Sequence, residues 1–360
     1  MNQRVLNFSP GPAMLPEEVM ARAQQEFLNW NNTGMSVMEI GHRTDMFIDI
    51  ARHAEQRLRQ LLFVSDDYHV LFLAGGATLQ FSAMVMNVLR DKNSADYIDT
   101  GIWSAKAIAC AEKYTNVNIV CSSKDTGYQS IPDNSDWQLD ANAAYCFYTD
   151  NETIGGVEFH SIPDVQVPLV CDMTSSILSR PFDVSRFGVI IAGTQKNIAP
   201  AGMTLVIVKK ELCGDVLANT PDLLNYQMQA EQNCMLNTPP TFNWYMAGLM
   251  FDWIVEQGGL NVMADRSERK SAMLYEYLDS SSFYNNKVPA SCRSRINVVF
   301  HLPNDELTNA FLEAAAAKGL QALKGHRAAG GIRASLYNAM PESGVDRLLN
   351  FMREFADQNS

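Results

Sequence analysis

The chain has 360 residues, 47% of them hydrophobic and 19% charged, with a formal net charge of −12. Such a length and composition suit a globular protein with a large core and exclude a disordered or collagen-like chain. The acidic balance, without any lysine or arginine run, excludes a phosphate-tracking nucleic-acid binder and requires any anionic ligand to be held by a local cationic cluster.

Asn7-Phe8-Ser9-Pro10-Gly11-Pro12 is a Pro/Gly-rich loop, and the residues after it predict a helix from Pro16 to Trp30. Short apolar strands then alternate with helical stretches to about residue 255. His69–Leu73 reads as a strand; it meets Ala74-Gly75-Gly76-Ala77-Thr78, and an amphipathic run from Leu79 to Leu89 follows. Ala95–Asp99 repeats the pattern, with Thr100-Gly101 as its turn and a helix from Trp103 to Tyr114. Asn118–Cys121, Ala144–Tyr148, Pro168–Cys171 and Gly188–Ala192 continue the series, and Met203–Val208 reads as a further strand turning back along an edge. This alternation predicts an α/β fold: a mainly parallel, seven-stranded sheet with helices on both faces and its ligand site outside the carboxyl ends of the strands.

The pattern changes after Gly258-Gly259. A charged helix (Asp265–Tyr277), a strand (Val298–Phe300), a helix (Asp305–Lys318), a strand (Ile332–Leu336) and a closing helix (Gly344–Ala356) predict a smaller C-terminal α+β domain. Cys110, Cys121, Cys146, Cys171, Cys213, Cys234 and Cys292 form no Cys-x-x-Cys pair and read as reduced, buried thiols of a cytoplasmic protein. Met1 to Pro16 carries no apolar stretch of the kind a signal peptide needs, and Leu205–Val208 is too short to span a bilayer. His69 and His301 read as core or edge histidines, and neither a metal-ligand cluster nor a Gly-x-Ser-x-Gly elbow is present.

The sharpest chemical signal is Lys196, in Thr194-Gln195-Lys196-Asn197 at the end of the strand Gly188–Ala192. A lysine there is either an ordinary surface residue or an amine kept dry and partly deprotonated for condensation with a carbonyl. Asp172 ends the strand before it, so both side chains can face one crevice. That is the pair a pyridoxal-phosphate enzyme needs: a lysine for the cofactor aldehyde and an acid for its ring nitrogen. Gly75-Gly76-Ala77-Thr78 is either a plain tight turn or a cradle in which a helix N-terminus meets a single phosphate. Trp103 is either core or a stacking platform, and Thr153 either a turn residue or a partner for a ring hydroxyl. His42-Arg43, His326-Arg327 and Arg333 are either surface charges or a cluster for a small polyanion. Asn237-Thr238-Pro239-Pro240 is a rigid polar loop that either caps a neighbouring helix or reaches a subunit interface.

Together these residues resemble the phosphoserine aminotransferases, a fold-type I, class V pyridoxal-phosphate family. The likeness runs from Asn7–Pro12 to the last helix. It is carried by Ser36-Val37-Met38-Glu39 with His42-Arg43, by Asn151-Glu152-Thr153-Ile154-Gly155-Gly156, and by Ser185-Arg186-Phe187-Gly188 leading into Thr194–Asn197. Asn237-Thr238-Pro239-Pro240-Thr241-Phe242, Lys324-Gly325-His326-Arg327 and Gly330-Gly331-Ile332-Arg333-Ala334-Ser335 complete it. The resemblance implies transamination between glutamate and 3-phosphohydroxypyruvate in serine biosynthesis, with 3-hydroxy-2-oxo-4-phosphobutanoate of pyridoxine biosynthesis as a further acceptor. It implies that Lys196 carries pyridoxal 5′-phosphate covalently and that Asp172 pairs with its ring nitrogen. Trp103 would stack on the ring, Thr153 meet its hydroxyl, and Ala77, Thr78 and Gln195 hold its phosphate. Asn237 and Thr238 would cross a homodimer into the partner's cofactor site. His42, Arg43, His326, Arg327 and Arg333 match positions that bind substrate carboxylate and phosphate. Some relatives carry arginine where Thr78 stands, so the division of phosphate contacts differs here. The implied organisation is an N-terminal segment near the site (1–15), a large cofactor-binding domain (16–255) and a small domain (256–360).

Other readings are open at this stage. Within the class they are an alanine–glyoxylate transaminase or a cysteine desulfurase, and outside it a silent binding protein. A nicotinamide dehydrogenase lacks its glycine fingerprint here.

Overall fold

The computed structural model describes residues 4–359. In chain order the elements are β1 (Leu6–Asn7), α1 (Glu17–Glu26), α2 (Asp45–Leu62), β2 (Tyr68–Ala74), α3 (Ala77–Val88), β3 (Ser94–Asp99), α4 (Ile102–Ala111), β4 (Asn116–Ser122), β5 (Cys146–Thr149), β6 (Asn151–Glu152) and β7 (Val157–Glu158). They continue with β8 (Leu169–Asp172), β9 (Val189–Gly193), β10 (Met203–Lys209), α5 (Tyr226–Glu231), α6 (Thr241–Glu256), α7 (Leu260–Ser280), β11 (Asn297–Phe300), α8 (Asp305–Ala317), β12 (Leu320–Gln321), β13 (Ile332–Ser335) and α9 (Glu342–Asn359). Among these residues no helix is long and apolar enough to cross a membrane.

The main sheet has seven strands in the order β2-β10-β9-β8-β5-β3-β4. Only β10 runs antiparallel to its neighbours. The sequence reading had set this strand along an edge; it lies inside, between β2 and β9. Its residues Met203–Val208 are buried without polar alternation, as suits a strand paired on both sides and covered on both faces. The exposed side chains of β4 mark one true edge instead.

Two helices that the sequence reading did not name, α2 and α6, pack against each other. On α2 the buried residues Phe47, Ile50, Ala51, Ala54, Leu58, Leu61 and Leu62 recur at helical spacing, which makes one apolar face. Most of α6 is buried from Trp244 to Ile254, so it reads as uniformly apolar, without a face.

Buried apolar side chains form two large clusters. One surrounds the main sheet, from Val19 to Met263. The other joins Leu6 and Phe8 to residues between Leu274 and Ala356. The N-terminal residues thus pack with the C-terminal ones, because β1 pairs in parallel with β12. The helix α7 contributes Leu260 and Met263 to the first cluster and Leu274, Tyr275 and Leu278 to the second. The carboxyl ends of β2, β3, β5, β8 and β9 open toward one side, where the candidate site is built.

Candidate active site

Each strand end delivers one part of a cavity of about 290 Å³, lined by Ala77, Thr78, Trp103, Asn151, Thr153, Asp172, Thr174, Gln195 and Lys196 among others. Lys196 lies in the turn between β9 and β10. Thr194 pins that turn, its hydroxyl donating to the carbonyls of Pro200 (2.7 Å) and Met203 (3.0 Å). On the far side the backbone N–H of Ala13 donates to the Gln195 carbonyl at 2.8 Å. Lys196 is 6% exposed, and its Nζ donates to Thr153 Oγ1 at 2.5 Å. Burial pulls its amine down to about 8; Asp172 and Glu152 oppose the shift and Arg333 adds to it. A fraction of the free base is therefore present at neutral pH, as a nucleophile requires.

Asp172 is buried at the end of β8, and its Oδ1 accepts the Thr174 backbone N–H at 2.9 Å. Burial raises its carboxyl above the ordinary range, while Thr174 and the Lys196 charge pull it back. Asn151 Nδ2 donates to Ser175 Oγ (2.9 Å) and Asn297 Oδ1 (2.8 Å), tying the cavity wall to β11. Asn297 Nδ2 continues the chain to Ser335 Oγ at 3.0 Å, and the Tyr337 hydroxyl donates to the Pro10 carbonyl at 2.8 Å. Gly156 makes this approach possible. Its φ is +72°, and a Cβ there would stand 2.8 Å from the Asn297 carbonyl oxygen.

The helix α3 begins at Ala77, and the first-turn N–H groups of Ala77 and Thr78 have no intrahelical acceptor. Free N–H groups and the positive end of the helix dipole make this end of the cavity suited to an anion. Buried polar atoms without a partner include Trp103 Nε1 and Asn151 Oδ1 on the cavity wall, and Arg333 Nε. Arg333, on β13, is 6% exposed and has no carboxylate partner among the described residues. A buried, unpaired guanidinium is costly unless a ligand pairs it. The lysine, the carboxylate, the free N–H groups of α3 and these unpartnered atoms fit pyridoxal phosphate.

Seven of the sequence-predicted residues therefore share one cavity: Ala77, Thr78, Trp103, Thr153, Asp172, Gln195 and Lys196. Arg333 is close enough to lower the Lys196 amine, and the Arg333 and Arg327 charges, after burial, lower His326. Arg43 is elsewhere. It lines a separate cavity of about 450 Å³ with Ile48, Glu55, Glu231 and Trp244, and its Nη2 donates to the Met235 carbonyl at 3.5 Å. His42 lies beside it, with Nε2 buried and unpartnered. Asn237 and Thr238 are exposed. They do not cap a helix: the residue before α6 is Pro240, and no side chain caps its N-terminus. The sequence reading gave no role to Glu152, Asn151 or Asn297, because their partners lie far off in sequence.

Residues 5–348 match the family model for class-V aminotransferases. The chain is 53% identical to a phosphoserine aminotransferase of Hahella chejuensis over 361 aligned positions, covering 100% of both chains. Its fold is similar to that of the phosphoserine aminotransferase from Bacillus circulans subsp. alkalophilus, with a TM-score of 0.97, 41% identity and 99% of each chain covered. It is also similar to the pyridoxal-phosphate-bound phosphoserine aminotransferase from Trichomonas vaginalis, with a TM-score of 0.95, 40% identity, and 97% of this chain and 100% of that one covered.

Proposed function

The chain belongs to the class-V aminotransferases, in the phosphoserine aminotransferase family, and we propose that it moves an amino group reversibly between glutamate and 3-phosphohydroxypyruvate. It is a pyridoxal-phosphate-dependent transaminase. The observation that carries this reading to the residues is that Lys196 and Asp172, both buried, line one cavity near an unpaired, buried Arg333.

When bound, pyridoxal phosphate supplies an aldehyde that condenses with amines and a ring that draws in negative charge developing at the substrate Cα. Lys196 would hold the cofactor through its Nζ, and its amine, buried and drawn down to about 8, is suited to take up and return the substrate Cα proton. General acid–base help of this kind contributes about 10²–10⁴-fold. Asp172 would pair with the ring nitrogen and hold a proton there. Trp103 would cover the ring, Thr153 would meet its hydroxyl, and Ala77, Thr78 and Gln195 would hold its phosphate. Arg333 pairs with the substrate carboxylate, which removes the penalty of its own burial. In the net reaction, glutamate gives up its amino group to become 2-oxoglutarate, and the phosphorylated oxoacid takes that group up to become O-phosphoserine.

The acceptor phosphate carries about −1.5 to −2 charges and needs more cations than Arg333 alone. Arg43 and His42 supply them from a partner subunit in a homodimer. Supporting this, Arg43 is bonded to Met235, two residues before the Asn237-Thr238 loop, so the arginine and the loop cross together. The same cluster accepts 3-hydroxy-2-oxo-4-phosphobutanoate, which presents the same phosphate and oxoacid groups. All seven cysteines are free, which supports a cytoplasmic setting.

The test is a panel of oxoacids with glutamate as donor, followed at the cofactor absorbance. A strong preference for the phosphorylated acceptor over pyruvate and hydroxypyruvate is expected; equal rates on all three would refute the substrate assignment.

A further inference from the structure

The helix α4 starts in an unusual way. Its N-cap is Gly101, which has no side chain to accept the free N–H groups of the first turn. Glu152, on β6 and 49 positions from Trp103, takes that role. Its Oε2 accepts Trp103 N–H at 3.0 Å, and its Oε1 accepts Ser104 N–H at 2.8 Å and the Ser104 hydroxyl at 2.9 Å. Ser104 Oγ supplies the reciprocal half by accepting the Gly101 N–H at 2.9 Å. The glycine is a steric requirement: a Cβ on Gly101 would stand 2.2 Å from Glu152 Cδ. Glu152 is 1% exposed; three donors and the positive end of the helix dipole offset part of the cost of burying its carboxyl, which burial still raises to about 7.

What this cap fixes is the start of α4, and therefore Trp103, whose side chain forms a wall of the Lys196 cavity. We propose that Glu152 is a positioning residue that capps α4 across the fold and so sets Trp103 for contact with the cofactor ring. The inference rests on the reading that pyridoxal phosphate occupies this cavity. A positional cap predicts a particular pattern: removing the carboxylate weakens cofactor binding only as long as Trp103 is there to be misplaced.

The experiment titrates apoprotein with pyridoxal phosphate and reads the dissociation constant from the visible absorbance of the bound form. Wild type is compared with Glu152→Gln, Trp103→Ala and the double variant. Glutamine keeps the size but turns an amide N–H toward donors, so binding should weaken about 10-fold. In the Trp103→Ala background the same change should have no further effect, as a double-mutant cycle reports for residues acting as one unit. Losses that multiply, or a Glu152→Gln protein that binds as wild type does, would overturn the proposal. Should Glu152→Gln fail to fold by far-ultraviolet circular dichroism, Gly101→Ala makes the same comparison, since its methyl displaces the carboxylate without removing it. A wild-type apoprotein that takes up no pyridoxal phosphate would sink the cofactor reading as well; normal uptake with unaffected variants sinks this inference alone.

Discussion

Lys196 and Thr153, 43 positions apart in sequence, are joined by a 2.5 Å hydrogen bond inside the cavity. The hydroxyl accepts from the amine and so favours its charged form, while burial draws the amine down to about 8. Only the free base attacks an aldehyde. Capture of pyridoxal phosphate by the apoprotein should therefore speed up as pH rises, with a midpoint near 8. In Thr153→Val the acceptor is gone and the midpoint should move lower. Rapid mixing across a pH series measures both; a wild-type midpoint near that of free lysine would contradict the burial argument.

Lys196→Met should abolish turnover and the label that borohydride fixes in the wild-type holoprotein. It should also change stability with a defined sign. The folded amine has a value of about 8 against an ordinary 10.5, so the folded state resists the proton. The cost of burying the cation is full below pH 8 and fades as pH rises toward the unfolded value. Apoprotein carrying Lys196→Met should thus exceed wild type by at most about 3 kcal/mol below that range, the gap closing above it. Denaturant titrations at several pH values check this, and a gap that widens with pH would be the wrong sign.

Arg333 offers a trade of stability against function. Its guanidinium is buried without a carboxylate partner, and burial lowers its affinity for the proton. Arg333→Met should leave the apoprotein as stable as wild type or more so, because an unpaired buried charge is removed. Turnover should fall by about 100-fold or more for amino donor and acceptor alike, since both carry the carboxylate. Thermal melts and kcat/KM for each substrate test it. A large loss of melting temperature with normal kinetics would assign Arg333 a structural role.

The separation of Arg43 from Lys196 can be tested by subunit mixing. Arg43→Ala and Lys196→Ala homodimers should each be nearly inactive on the phosphorylated acceptor. If the partner's arginine completes each site, random exchange of the two should restore about a quarter of wild-type activity, one good site in each hybrid. Activity that stays at the level of the separate variants would mean that each subunit completes its own site.

Much of this molecule was legible in its sequence. The strand–turn–helix runs around Ala74–Thr78 and Thr100–Trp103 are local events, set by apolar spacing and small turn residues, and each appears within a few positions of its expected place. Lys196 and Asp172 stand out in the sequence for the same reason, and the fold brings both to one cavity: a chemically expensive residue at the end of an apolar strand is visible without knowing its neighbours. The unassigned helix α6 shows the limit of that logic. Buried nearly all round, it has no polar face, so periodicity carries no signal.

What only the tertiary structure decided are the pairings between distant segments. An apolar run such as Met203–Val208 is equally suited to an edge or an interior, and hydrogen bonds to both β2 and β9 put it inside. Glu152 looks like a turn residue until α4 arrives with unpaired N–H groups and a glycine where a capping side chain would stand. Arg333 becomes conspicuous only when the fold buries it without a carboxylate partner among the described residues. Sequence fixes which residues prefer apolar surroundings and which backbone angles are open to them, since those are properties of each residue and its near neighbours. Which polar groups end up facing one another in the dark of the fold depends on contacts across scores of positions, and no local pattern records them.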